Sequence, residues 1–186
     1  SDLLGEEGPA AAAGRAGAAG RGGGGGGGRG GGGGPYALPG TYKVTLTAAG
    51  KTLTRTIGVQ MDPRITVTPL ALQAQLAEGL KLRGMAETIG AIVSKADDVV
   101  RQLTASGPAD ALAKARDFRF RMGRLPGEQG YRIQGRLRED IQSILGSVSQ
   151  NPGAPTAGEL LRIKEMQAEL AKMKADWEAF LKSIGK

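Results

Sequence analysis

Between Gly20 and Gly34 every residue is glycine except Arg21 and Arg29, and this run constrains the fold more than any other feature. A segment without side chains has nothing to bury, while ordering each of its residues costs about 1–2 kcal/mol of backbone entropy. The residues before it offer only Leu3 and Leu4 as large apolar groups. Residues 1–38 are therefore expected to form a disordered Gly/Arg-rich linker or loop. The foldable part of the 186-residue chain shrinks to 39–186. Aromatic residues are only 4% of the chain, and its apolar content is mainly Ala, Leu, Ile, Val and Met, which suits helix-on-helix packing.

Pro39-Gly40 signals a turn, after which Tyr42, Val44 and Leu46 alternate with Lys43, Thr45 and Thr47 at the period of a strand. Ala48-Ala49-Gly50-Lys51 supplies a tight turn, and Leu53, Ile57 and Val59 mark a second strand, with Gly58 expected to form a bulge. Residues 39–64 thus predict a β-hairpin. Two strands alone are marginal in water and leave two open edges, so the pattern implies further strands upstream of Ser1.

Met61-Asp62-Pro63-Arg64 interrupts the pattern, and Thr68-Pro69 reads as a helix cap followed by proline at the first helical position. Leu82, Met85, Ile89, Ile92, Ala96, Val99 and Leu103 then recur at three- and four-residue steps up to Gly107-Pro108. Ala109 to Met122 is helix-compatible, Leu125-Pro126-Gly127 breaks it, and Ile133, Leu137, Ile141, Ile144 and Val148 outline another amphipathic helix. Beyond Asn151-Pro152-Gly153, Thr156 and Glu159 have the spacing of a capping box, and Ile163, Met166, Leu170, Met173, Trp177, Phe180 and Ile184 keep the heptad to the end. Residues 65–186 predict an antiparallel three- to four-helix bundle, making the whole chain mainly α with one β-hairpin.

With no cysteine and no histidine, the chain lacks disulfides, thiolate nucleophiles, the usual imidazole base and the two best zinc ligands. No apolar run approaches the roughly 20 residues that span a bilayer, and no basic-then-apolar leader opens the sequence. Its beginning at Ser1, without Met, is the expected look of a processed chain or a fragment.

The net charge of +7 is uneven. From Lys114 to Arg138 eight basic residues face only Asp117 and Glu128, and Phe118 and Phe120 lie among the arginines. Arg116, Arg119, Arg121, Arg124, Arg132, Arg136 and Arg138 are therefore candidate ligands for a polyanion such as nucleic acid or an acidic polysaccharide. A solvated basic helix face, or a patch docked on an acidic neighbour, accounts for the same residues and is the preferred reading. Arg15, Arg21 and Arg29 in the glycine tract have no interleaved aromatics, so that tract reads as a linker rather than an RNA-binding segment. Neither a preceding strand nor a following Lys-Ser/Thr supports a phosphate loop there. Asp97-Asp98, Glu139-Asp140 and Asp176 with Glu178 are the close carboxylates; helix neighbours diverge, so they read as surface charges rather than a glycosidase pair. Trp177, on the heptad with Met173 and Phe180, reads as core. No residue is singled out as catalytic, cofactor-binding or metal-ligating.

The stretch Pro39-Gly-Thr-Tyr-Lys-Val-Thr-Leu-Thr, followed by Gly50-Lys-Thr-Leu-Thr and Val59-Gln-Met-Asp-Pro-Arg64, resembles the C-terminal part of bacterial sortilin-like β-propeller proteins with BNR-type repeats. Leu72-Gln73-Ala74-Gln75 and Ala154-Pro155-Thr156 are similar to that family as well, so the likeness covers roughly Gly20 to the C-terminus. These motifs are structural punctuation and carry no chemistry. The resemblance implies that the hairpin is the last two strands of an immunoglobulin-like domain. It also implies a secreted or periplasmic bacterial parent, whose upstream domains, or a separate protein, are the partner of this piece. Members are often labelled glycosyl hydrolases, but any such activity would belong to propeller residues outside this sequence. The expected role is a non-catalytic accessory and interaction module.

Overall fold

The computed structural model describes residues 35–128 and 136–185; the expectations for the Gly/Arg tract through residue 34, and for Arg132 and Ile133, lie outside the described residues. Strands β1 (Gly40–Ala48) and β2 (Lys51–Val59) are followed by helices α1 (Pro69–Ser106), α2 (Ala109–Met122), α3 (Leu137–Gln150) and α4 (Ala157–Ser183). The chain is a two-stranded antiparallel hairpin followed by a helical bundle.

The turn between the strands puts Ala49 at φ 48° and Gly50 at φ 73°. Positive φ at both central residues is the type I′ geometry, whose twist matches that of the flanking strands. Pairing then runs without interruption from Ala48↔Lys51 to Gly40↔Val59. Gly58 stands opposite Thr41 in regular register, so the expected bulge is absent; glycine here only leaves a side-chain gap. On one face the threonine hydroxyls of Thr45 and Thr54, and of Thr47 and Thr52, hydrogen-bond across the strands at 3.2 Å. The other face carries the pairs Tyr42/Ile57, Val44/Arg55 and Leu46/Leu53.

Asp62 ends the sheet by closing a turn: its carbonyl accepts from Ile65 N–H at 2.9 Å, and its carboxylate accepts from Arg64 N–H at 2.9 Å. Helix α1 then starts where the sequence places it, with Thr68 Oγ1 accepting from Ala71 N–H and Pro69 inside the first turn. At 1.5 Å per residue its 38 residues span about 57 Å. Helices α2 and α3 run back along it in succession. Arg119 of α2 reaches Asp97 in the C-terminal half of α1, whereas Gln75 near the start of α1 donates to the carbonyls of Val148 and Asn151 at 2.7 Å each. Helix α4 returns antiparallel to α3, from the Ser147–Glu159 hydrogen bond to the contact of Trp177 with Phe118 of α2. The result is an up-down-up bundle whose middle helix is broken in two.

The core follows the predicted seams with small shifts. In α1 the fully buried residue after Ile89 is Val93, at 4% exposure, and Ile92 packs beside it. In α3 Leu145 is buried and Ile144 flanks it, and in α4 Leu181 joins the core while Met173 and Ile184 are partly buried. An α-helix turns 3.6 residues, not 3.5, so a heptad drifts around a straight helix and the next residue takes over the buried position. Trp177, Phe180 and Phe118 form an aromatic cluster with centroids 5.4–5.6 Å apart.

Candidate functional site

The basic segment builds the break in the middle helix. Arg119 is 5% exposed, and its guanidinium donates to Asp97 Oδ1 at 2.6 Å, to the Gly123 carbonyl at 2.8 Å and to the Arg124 carbonyl at 3.2 Å. It therefore caps the C-terminal end of α2, where carbonyls lack helical partners and a cation is favoured. Arg136 donates to Glu128 through both terminal nitrogens, at 2.7 and 2.9 Å, and to the Gly123 carbonyl at 3.1 Å. The Glu139 carboxylate closes the ring by accepting from Arg124 N–H at 3.2 Å and from Arg136 N–H at 3.3 Å. Two arginines and two glutamates thus bind backbone groups just past the end of α2, at Gly123, Arg124 and Leu125, and just before α3, at Arg136.

The interleaved phenylalanines serve the same end. The Arg136 guanidinium lies 3.7 Å from the centroid of Phe120, and that of Arg121 lies 4.7 Å from Phe118. Stacking that could have gripped a nucleotide base is made inside the chain. Arg121 also pairs with Asp117 at 2.9 Å, one helical turn away. Arg138 packs its stem over Gly123, Arg124 has its Nε buried without a partner, and Arg116 is exposed on α2. Among the six of the candidate polyanion-binding arginines that the structure describes, Arg119 is withdrawn from solvent as a bundle residue and Arg136 is taken up by Glu128 and the Gly123 carbonyl. Sequence spacing makes the Asp117–Arg121 pair readable, but Asp97 and Glu128 become partners only when distant segments meet.

These contacts shift carboxylate acidity. Glu128 is lowered to about 2, chiefly by the Arg136 hydrogen bonds and then by the Leu125 N–H. Glu159 is also lowered, first by the Ser147 hydroxyl and then by the Thr156 N–H of the capping box. Of the close carboxylates, Asp97 is bound to Arg119, Asp98 to Arg101 and Asp140 to Arg162. Among the described residues no group of His, Cys, Asp or Glu is arranged to hold a metal ion, and no helix is long and apolar enough to cross a membrane.

The second candidate is the hairpin. Val44, Leu46, Leu53 and Ile57 are 46–63% exposed, all on the same face, with Arg55 between them opposite Val44. Tyr42 is half-buried, and its hydroxyl donates to the Leu38 carbonyl at 2.7 Å, tying the chain before β1 to the start of the strand. At the base of the hairpin a cavity of about 300 Å³ opens between Leu38, Val59 and Met61 on one side and Leu72, Gln75 and Leu76 on the other. Pro35 lies against Gly79 of α1, where a β-carbon would approach the proline ring to 2.8 Å.

Compared with protein-family models, curated proteins and solved structures, the chain matches none.

Proposed function

We propose that the chain is a non-catalytic interaction module, belonging to the C-terminal end of a longer polypeptide, in which the helical bundle supports a hairpin that engages other β-structure. One observation carries this reading: among the described residues, two nine-residue strands pair only with each other and leave an apolar face uncovered. Each of the four apolar side chains on that face is about half exposed, so covering them would contribute about 3–6 kcal/mol at about 1.5–3 kcal/mol per fully buried side chain. A monomer that kept this face in water would forgo a sum comparable to the stability of a small domain.

The hydrogen bond from Tyr42 to Leu38 supports the finer reading of the hairpin as the last two strands of an immunoglobulin-like sandwich. In such domains a tyrosine at the start of a strand bonds back to the backbone a few residues upstream, where the chain crosses between sheets. The resemblance to sortilin-like β-propeller proteins favours the same placement, with a secreted or periplasmic parent. The polyanion-binding alternative has less behind it, because Arg119 and Arg136 already spend their donors on Asp97, Glu128 and the Gly123 carbonyl.

Amide hydrogen exchange on the chain alone tests the proposal. Slow exchange in α1 and α4 with fast exchange from Tyr42 to Val59 is the expected pattern. Comparable protection in the hairpin would sink it, since a self-sufficient hairpin needs no β-partner.

A further inference from the structure

From the charges on the hairpin we infer the chemistry of what covers it: a β-layer that presents apolar side chains and a carboxylate positioned against Arg55. This rests on the reading of the hairpin as the interacting element. From Gly40 to Val59 the chain carries Lys43, Lys51 and Arg55 and no acidic residue. Lys43 lies on the threonine face. Lys51 is on the apolar face but at its end beside the turn, paired with Ala48, whereas Arg55 sits in the middle of that face, paired with Val44 and flanked along β2 by Leu53 and Ile57. Nothing in the described structure pairs with it, and its nearest neighbours on the face are apolar.

A layer that buries Val44, Leu46, Leu53 and Ile57 also desolvates this guanidinium, and an arginine taken out of water needs a carboxylate or carbonyls in register with its planar fork. A second copy of the same hairpin fails that requirement. Face to face, two copies would bring two Arg55 side chains into one apolar interface with no acidic group on either, and like charges in an interface suppress the pairing. The occupant is therefore a different β-segment, acidic where this one is basic.

The test uses the full chain and two fluorescein-labelled synthetic hairpin peptides of equal length, each with valines on one face. One carries glutamates at the centre of that face and the other lysines, and binding is read by anisotropy. Binding of the glutamate peptide is expected at least about fivefold tighter. That preference should fall to near unity in Arg55→Met and invert in Arg55→Glu, while helix exchange protection stays unchanged in both. If wild type binds both peptides equally, the charge inference is overturned and the interaction reading stands. If it binds neither, both fall. Dimerisation of the wild-type chain that Leu46→Thr abolishes would also overturn the inference, by making a second copy the occupant.

Discussion

Replacing Arg119 by methionine keeps a long side chain in the α2–α3 break but removes the donors of one of its two guanidinium groups, that of Arg136 remaining. Three hydrogen bonds disappear: one to the Asp97 carboxylate and two to the carbonyls of Gly123 and Arg124. Bonds to charged groups contribute about 1.5–3 kcal/mol and an abandoned buried acceptor costs about 1–3 kcal/mol. The sum is reduced on two sides. Asp97 is 46% exposed and recovers water, and the Gly123 carbonyl keeps Arg136. Removing a guanidinium from the interior also relieves its own desolvation. The net expectation is a loss of about 2–3 kcal/mol, against under about 0.5 kcal/mol for Arg116→Met on the exposed face of the same helix. Urea unfolding followed by far-ultraviolet circular dichroism measures both, and the larger loss corresponds to a midpoint lowered by about 1 M at unchanged slope. A double-mutant cycle with Asp97→Asn should return a coupling above about 0.5 kcal/mol. Equal effects of the two arginine substitutions, or zero coupling, would refute the assignment of Arg119 to the fold rather than to a surface.

Acid should weaken the break as Glu128 takes up a proton. Its folded pKa of about 2 lies below its unfolded value, so its contribution is complete above the unfolded pKa and is lost as pH falls toward about 2. Carboxyl titration by NMR checks this, and a midpoint for Glu128 in the ordinary glutamate range would contradict the Arg136 contact. Trp177 is the only tryptophan and is 2% exposed, so its emission should be blue-shifted and weakly quenched by acrylamide. Trp177→Ala should cost about 3–5 kcal/mol by opening the cluster with Phe118 and Phe180, measured by thermal or urea unfolding. Ala49 occupies a left-handed turn position, so Ala49→Asn should stabilise the hairpin by about 0.5–1 kcal/mol, seen as slower exchange across β1 and β2 with α4 unchanged.

Local signals in the sequence carried the architecture. The alternation through Tyr42, Val44 and Leu46, the cap and proline at Thr68-Pro69, and the Thr156–Glu159 capping box each specify backbone geometry through neighbours a few residues away. The elements appear where those signals stand. The exceptions are small and local: Val93 in place of Ile92, and a regular pair at Gly58 where a bulge was expected. The roles of the charged residues were decided only in three dimensions. An arginine-rich stretch has the same composition whether it coats a surface or caps a broken helix. What distinguishes the two is the partner each guanidinium meets, and for Arg119 that partner is Asp97, 22 residues away on another helix. Backbone conformation is set largely by local sterics and periodicity, whereas the electrostatic role of a side chain depends on which distant segments the packing of the core brings beside it.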